Sequence, residues 1–340
     1  VKVRLEPSDE YMHPGPEPTF NESMYFNFYD PSAGLGGFLR LGNRPNEGHA
    51  EMTTCLYLPD GRLGFMFRRP EIAHNERFDA GGMSFTVLEP FRELRIAYDG
   101  DVVLLDRPLD MADPRAAFTG NPHGPARVQL AVTGVSEPFG GEPEQSHERP
   151  GEEFARGHYE QLLRARGTVT VGDRSWEVDG WGLRDHSWGP RTWQAPWYYR
   201  WLTANFPDGT GMMLSRIARR DGPGTRGGFV WDGSSLHLVR DVRISTGWEG
   251  PDRYHRTVRA EFDTAPGPDR DGISGTLTGE VLNLIPLRNR RDGRVTRISE
   301  GLTRWTLDTP LGAAPGATVG HGLSEYLDQL VDGAPVGIDE

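Results

Sequence analysis

The chain has 340 residues and a formal net charge of −12, with 49 acids against 37 bases and no long basic cluster, which argues against a nucleic-acid partner. No apolar run approaches the ~20 residues that span a bilayer, no signal peptide opens the chain, and the single cysteine, Cys55, excludes an internal disulfide or a multi-thiolate metal cage. A cytoplasmic protein without stable membrane insertion is expected, and a homodimer is allowed. Residues 1–20 are Pro-rich and lack periodicity, a lead-in or an arm. Strands are expected at 24–29 and 36–41, then at 48–58 and 62–69 around Pro59-Asp60-Gly61, where glycine supplies the positive φ of a hairpin turn.

The same device recurs at Asp99-Gly100, Gly172-Asp173, Pro207-Asp208-Gly209 and Asp232-Gly233. Further strands are expected at 258–262, 275–284, 295–299, 302–307 and 320–327. Helix is expected only at 154–163. Residues 137–153, rich in Gly, Pro and acids, read as an exposed connector, and 263–271 as a long hairpin tip. Short strands joined by tight turns predict an all-β protein of two packed β-barrel or sandwich domains. The connector places their boundary near residue 160, giving domains 1–160 and 161–340.

Residues 167–208 hold six of the nine tryptophans: Trp176, Trp181, Trp188, Trp193, Trp197 and Trp201. At their centre stands Asp185-His186-Ser187-Trp188-Gly189, followed by Pro190 and Arg191. Large rings seek burial, so a carboxyl, an imidazole and a guanidinium among indoles predict a dry aromatic site with a few polar groups. The bland alternative is ordinary core, with the Asp-His pair ending a turn.

The run Gly180-Trp181-Gly182-Leu183-Arg184-Asp185-His186-Ser187-Trp188-Gly189, then an aromatic strand, Pro207-Asp208-Gly209 and Gly211-Met212-Met213-Leu214, resembles the carotenoid hydratase (hydroxyneurosporene synthase) superfamily. That superfamily includes kievitone-hydratase-like proteins and lipocalin-like Diels–Alderases. Asn21-Glu22-Ser23-Met24-Tyr25-Phe26 stands in the place of its acidic-aromatic first strand, and Gly322-Leu323-Ser324-Glu325-Tyr326 in that of its closing strand. The resemblance is strongest over 167–214. It implies two lipocalin-like domains and hydration, or a related proton-initiated reaction, of an apolar unsaturated molecule of terpenoid, steroid or polyketide type.

Protonating an alkene needs a carboxylic acid that stays protonated, which burial favours, and aromatic faces stabilise the cation that follows. Asp185 is the expected acid, with His186 as the second candidate. Trp181, Trp188, Arg191, Trp197, Tyr199, Glu22, Tyr25 and Glu325 are expected to bind substrate. Neighbours on a strand face opposite ways, so Asp185 and His186 share a cavity only if the motif bends. A structural reading competes: a buried Asp185–Arg191 ion pair would hold Asp185 charged and disqualify it as the acid.

His13, His49 and Glu51 lack ligand spacing, and Gly34-Leu35-Gly36-Gly37 and Asp79-Ala80-Gly81-Gly82 lack the strand–turn–helix setting of a nucleotide loop. No metal and no cofactor are expected. Two other classes remain open, a non-catalytic carrier of a hydrophobic ligand and a glycan-binding or glycan-processing β protein.

Overall fold

The computed structural model describes residues 2–144, 154–222, 224–267, 271–312 and 316–338. The chain divides into two compact units, Val1–Thr192 and Trp193–Glu340. Eight antiparallel strands follow one another around the first: β1 (Phe20–Asp30), β2 (Leu35–Arg44), β3 (His49–Tyr57), β4 (Leu63–Arg68), β5 (Glu93–Leu105), β6 (His123–Gly134), β7 (Gly157–Val171) and β8 (Arg174–Pro190). β8 returns to β1, with Trp181 opposite Tyr29 and Trp188 opposite Glu22.

The second unit repeats the plan with β9 (Tyr198–Asn205), β10 (Gly211–Ala218), β11 (Thr225–Trp231), β12 (Leu236–Glu249), β13 (Tyr254–Thr264), β14 (Ser274–Arg291), β15 (Arg294–Leu307) and β16 (Val319–Val331). It closes where β16 meets β9, Leu202 opposite Ser324. Each unit is thus an up-and-down barrel of lipocalin-like kind, and closure leaves its ladder without an open edge.

The boundary expected near residue 160 falls instead between Thr192 and Trp193. β7 and β8 complete the first ring, so the Asp-His-x-Trp-Gly motif belongs to the first barrel and not the second. The polar run that suggested the boundary contains a short strand, Phe139–Pro143, paired with the start of β7. Residues 145–153 of the expected connector lie outside the described residues, as do 268–270 of the expected tip at 263–271.

Residues 154–163 are not helical. From Gly157 they alternate as strand, with Tyr159, Gln161 and Leu163 on one face and His158, Glu160 and Leu162 on the other. The α-helix among the described residues is Pro114–Gly120, signalled by Asp113, which accepts a hydrogen bond from the Ala116 N–H (3.2 Å), and by Pro114 in its first turn. Asp99-Gly100 is not a turn either. β5 runs straight through it, because Asp99 is opposite Arg127 on β6 and accepts a hydrogen bond from its guanidinium at 2.6 Å.

Alternation sorts β8 into two faces. Val178 packs in the first core with Met24, Phe26, Leu163 and Ala165, so Gly182, Arg184, His186 and Trp188 point into the barrel. Leu183, Asp185 and Ser187 point out. The glycines permit close approach: a Cβ on Gly182 would sit 1.8 Å from the Asn27 carbonyl oxygen, and one on Gly157 would sit 2.2 Å from the Trp188 ring.

Arg184 therefore buries a guanidinium inside the barrel, and the lead-in segment neutralises it. A 3₁₀ turn at Pro7–Glu10 inserts Glu10. Arg184 donates to Glu10 at 2.6 and 2.8 Å, and to the Gln161 side-chain oxygen at 3.0 and 2.8 Å. Glu10 also accepts from the Tyr159 hydroxyl and the Phe91 N–H, each at 2.6 Å. Removing one partner of such a pair strands a buried charge. Arg184→Met is expected to cost ~3–5 kcal/mol in denaturant unfolding, and adding Glu10→Gln to recover much of it. A loss within ~0.5 kcal/mol for Arg184→Met would contradict this account.

Candidate functional site

Next to this ion pair lies a second buried cluster, built from the lead-in segment, β1 and β8. Glu22 Oε1 accepts from His186 Nε2 at 2.6 Å and from His13 Nδ1 at 2.9 Å, while Oε2 accepts from the His13 N–H at 2.8 Å and from Asn75 Nδ2 at 3.3 Å. The His13 ring stacks on Trp188, 3.9 Å between centroids and 5° from parallel. Trp188 donates its indole N–H to Glu142 at 3.1 Å. Burial works to raise the Glu22 carboxyl, but hydrogen bonds from His13 and then His186 outweigh it and hold the group below its ordinary value.

Among the described residues His13, Glu22 and His186 are the group whose donor atoms, all within 4.8 Å of one another, could hold a metal ion. Both imidazoles converge on the same carboxylate oxygen, while the second ring nitrogen of His13, Nε2, makes no hydrogen bond and lies 3.5 Å from Asp9 Oδ1. The other residues weighed as ligands sit elsewhere. Glu51 lies 3.4–3.6 Å from Arg40, Arg44 and Arg69, and His49 lies 3.9 Å from Glu47.

The outer face of the same strands carries different chemistry. Register aligns three rows across β7, β8, β1, β2 and β3. The first is dry and mostly apolar, Leu162, Leu183, Phe38 and Cys55 with Asn27 among them, each at most 2% exposed; Asn27 accepts a hydrogen bond from the Leu183 N–H at 2.9 Å. The second is Glu160, Asp185, Tyr25, Arg40 and Thr53, and the third His158, Ser187, Ser23, Gly42 and Glu51.

Asp185 and Glu160 thus stand directly opposite each other, with His158 Nε2 4.0 Å from the first carboxylate and 3.6 Å from the second. Glu160 is buried and Asp185 half-buried. Arg191 donates to the Ser187 hydroxyl at 2.7 Å and to the Phe154 carbonyl at 2.9 Å. Its guanidinium lies 4.7 Å from the Phe154 ring centroid.

The expected site residues therefore separate. The motif does not bend, so Asp185 and Tyr25 lie on the outer face of the first barrel while His186, Trp188 and Glu22 lie inside it. Trp181 is on the outer face with Arg164 above its ring, 4.9 Å from the centroid. Tyr199, Glu325 and Trp197 belong to the second unit. There the Tyr199 hydroxyl donates to Glu325, Glu325 is opposite Glu300 across β15 and β16, and Trp197 lies beneath Arg220 at 5.0 Å.

The tryptophans of 167–208 do not share one face. Trp176 packs against the core, Trp181 is outside and Trp188 is inside. Glu10, Tyr159 and Glu160 escaped the sequence reading, and His13 and Arg184 entered it without the partners they have here. Period-two reading of His158-Tyr159-Glu160-Gln161 would have found His158 and Glu160 on one face and Tyr159 and Gln161 on the other.

Glu10 and Glu22 both have depressed carboxyls; for Glu10, burial opposes and Arg184 outweighs it. A depressed carboxyl contributes stability that is full above its unfolded value, ~4.3, and is lost as pH falls through the folded value. The melting temperature is therefore expected to drop most steeply below about pH 4, and less steeply in Glu22→Gln. A melt unchanged down to pH 2 would contradict the assignment.

Comparison with known structures gives the same architecture over nearly the whole length. The Nitrosomonas europaea protein described as AttH is 14% identical, with a TM-score of 0.58 over 96% of this chain and 97% of that one. CghA, solved with Sch210972, is 14% identical, with a TM-score of 0.55 over 92% and 89%. Kievitone hydratase from Nectria haematococca is 9% identical, with a TM-score of 0.56 over 91% and 89%. At such identities the likeness is one of fold. No curated protein sequence matches. The model of one family covers residues 6–329, and the chain belongs to that family, the Domain of unknown function DUF7064.

Proposed function

We propose that the protein is a cofactor-independent hydratase or dehydratase, or a related isomerase or cyclase, acting on an apolar unsaturated small molecule at the outer wall of the first barrel. The observation that carries this reading is the Asp185–Glu160 pair with His158 beside both, set along a dry row of Leu162, Leu183, Phe38 and Cys55. Apolar surface with a few convergent polar groups is the usual make-up of a small-molecule site. A carrier would need the apolar row and no facing acids. Two fold relatives agree in kind, one named a hydratase and one solved with a small molecule.

In this reading one carboxyl of the pair delivers its proton to an alkene carbon. The π bond breaks, a C–H bond forms, and the Tyr25 ring stands beside the resulting positive charge. Water then attacks the cation and gives up a proton to the other carboxylate, directly or through His158, which leaves one proton on the pair as before. Dehydration runs the same steps backwards. His186 has no part in this; its place is inside the barrel, fixing Glu22.

The test is incubation of terpenoid, steroid and polyketide alkenes in ¹⁸O-labelled water, with the product mass as readout. Asp185→Asn keeps size and polarity but removes the ionisable proton. Turnover is expected to fall ~10²–10⁴-fold with the melting temperature unchanged. Normal turnover by Asp185→Asn would refute the acid role. A loss of turnover that merely tracks a lowered melting temperature would return Asp185 to a structural part.

A further inference from the structure

The interior of the second barrel is apolar at one end, where Leu202, Phe206, Leu277, Trp305 and Leu307 pack together. The other end is lined by cations. Register places Arg288, Arg297, Asp328 and Tyr198 in one interior row, and Pro286, Ser299, Tyr326 and Arg200 in the next. His255 stacks on Tyr326 with 4.0 Å between ring centroids. Three guanidiniums thus meet one carboxylate on this wall, and that carboxylate is already engaged. Asp328 accepts from Arg200 at 3.0 and 3.1 Å, and Arg200 also donates to the Gly337 carbonyl at 2.7 Å.

Arg297, 3% exposed, gives its two terminal nitrogens to the carbonyls of Asp252 and Arg253. Among the described residues no carboxylate lies within ion-pair distance of Arg297 or Arg288. Four buried atoms here make no hydrogen bond: Arg297 Nε, Arg288 Nε, the Ser299 hydroxyl and His255 Nδ1. Buried polar atoms are nearly always partnered and buried charges nearly always paired. The surplus positive charge is felt by its neighbours. Burial holds Arg297 below its ordinary value against the opposing pull of Asp328, Tyr254 and Asp252, with Arg200 a smaller contribution, and burial, then Arg200 and Arg297, take His255 down to about 3 against its bond to Ser324.

We propose that this end of the second barrel's interior is an oxyanion-binding site, taking the carboxylate head of an amphipathic small molecule on Arg297, Arg288 and Ser299. Guanidinium forks match a carboxylate in geometry as well as charge. The surrounding wall supplies apolar surface for the attached chain, with Tyr326 and Trp248 in edge contact at 5.7 Å and Leu284 and Val281 buried beside Tyr254. The site is on the second unit and does not depend on the acid chemistry proposed for the first.

Calorimetric titration of the full chain with octanoate, octanol and inorganic phosphate tests it. Saturable binding of octanoate and none of octanol is expected, with affinity falling by about tenfold or more in Arg288→Met and in Arg297→Met, and by less in Ser299→Ala. Arg288 and Ser299 carry the test should Arg297→Met fail to fold. Phosphate binding in place of octanoate, lost in the same variants, would keep the oxyanion site and make its source inorganic. Octanol binding as well as octanoate, neither anion binding, or octanoate binding untouched by all three substitutions would overturn the proposal.

Discussion

A guanidinium cannot be left uncompensated inside a β-barrel, and Arg184 on β8 points inward. Much of the first unit follows from meeting that demand. Glu10 must be brought in from the lead-in segment, Gln161 and Tyr159 must line the facing strand, and the segment that carries Glu10 then lays His13 against Trp188 and Glu22. Buried ion pairs of this kind add little net stability, yet they are strongly destabilising to break. Their value here is positional, since they fix the orientation of β7 and β8 and with it the outward direction of Glu160 and Asp185. One strand thus divides its labour by parity. Arg184, His186 and Trp188 serve the interior, and Asp185 and Ser187 are left to the outer wall.

The barrel architecture was legible because its signals are local: an Asp-Gly turn such as Pro59-Asp60-Gly61 and a run such as Met24-Tyr25-Phe26 each state their structure within a few residues. What escaped depends on partners distant in sequence. Asp99-Gly100 has turn chemistry, but Arg127 across the ladder keeps it extended. The 154–163 stretch looks helical only if Glu160 and Gln161 are both assigned to solvent, and Gln161 is in fact buried on Arg184. The boundary was displaced for a related reason, since ring closure by β8 onto β1 joins residues about 160 positions apart.

The motif's density of tryptophan and charge suggested one pocket. Strand parity distributes those side chains over two faces, so Asp185, Tyr25 and Trp181 of the expected group are on the outer wall while Glu22, His186 and Trp188 are inside. Both barrels carry an inward arginine near the strand that closes the ring, Arg184 in one and Arg200 in the other, each bonded to a carboxylate. The second barrel then adds Arg288 and Arg297 without adding acids beside them. The same plan of eight strands thus carries one inward arginine matched to a carboxylate in the first interior and further guanidiniums beside such a pair in the second.

The distance along the chain between Glu10 and Arg184, 174 positions, has a consequence for how the molecule is made. Ring closure and the ion pair both wait for β8, so during synthesis Glu10 and the outer edge of β1 stay unpaired until all the strands between them and β8 have emerged. Topologies dominated by such long-range pairing fold slowly and expose strand edges meanwhile. The second ring closes over a shorter span, from β9 to β16, and it begins only once the first is covalently complete. Assembly in the order of translation would therefore spare the two sets of unpaired edges from being exposed together.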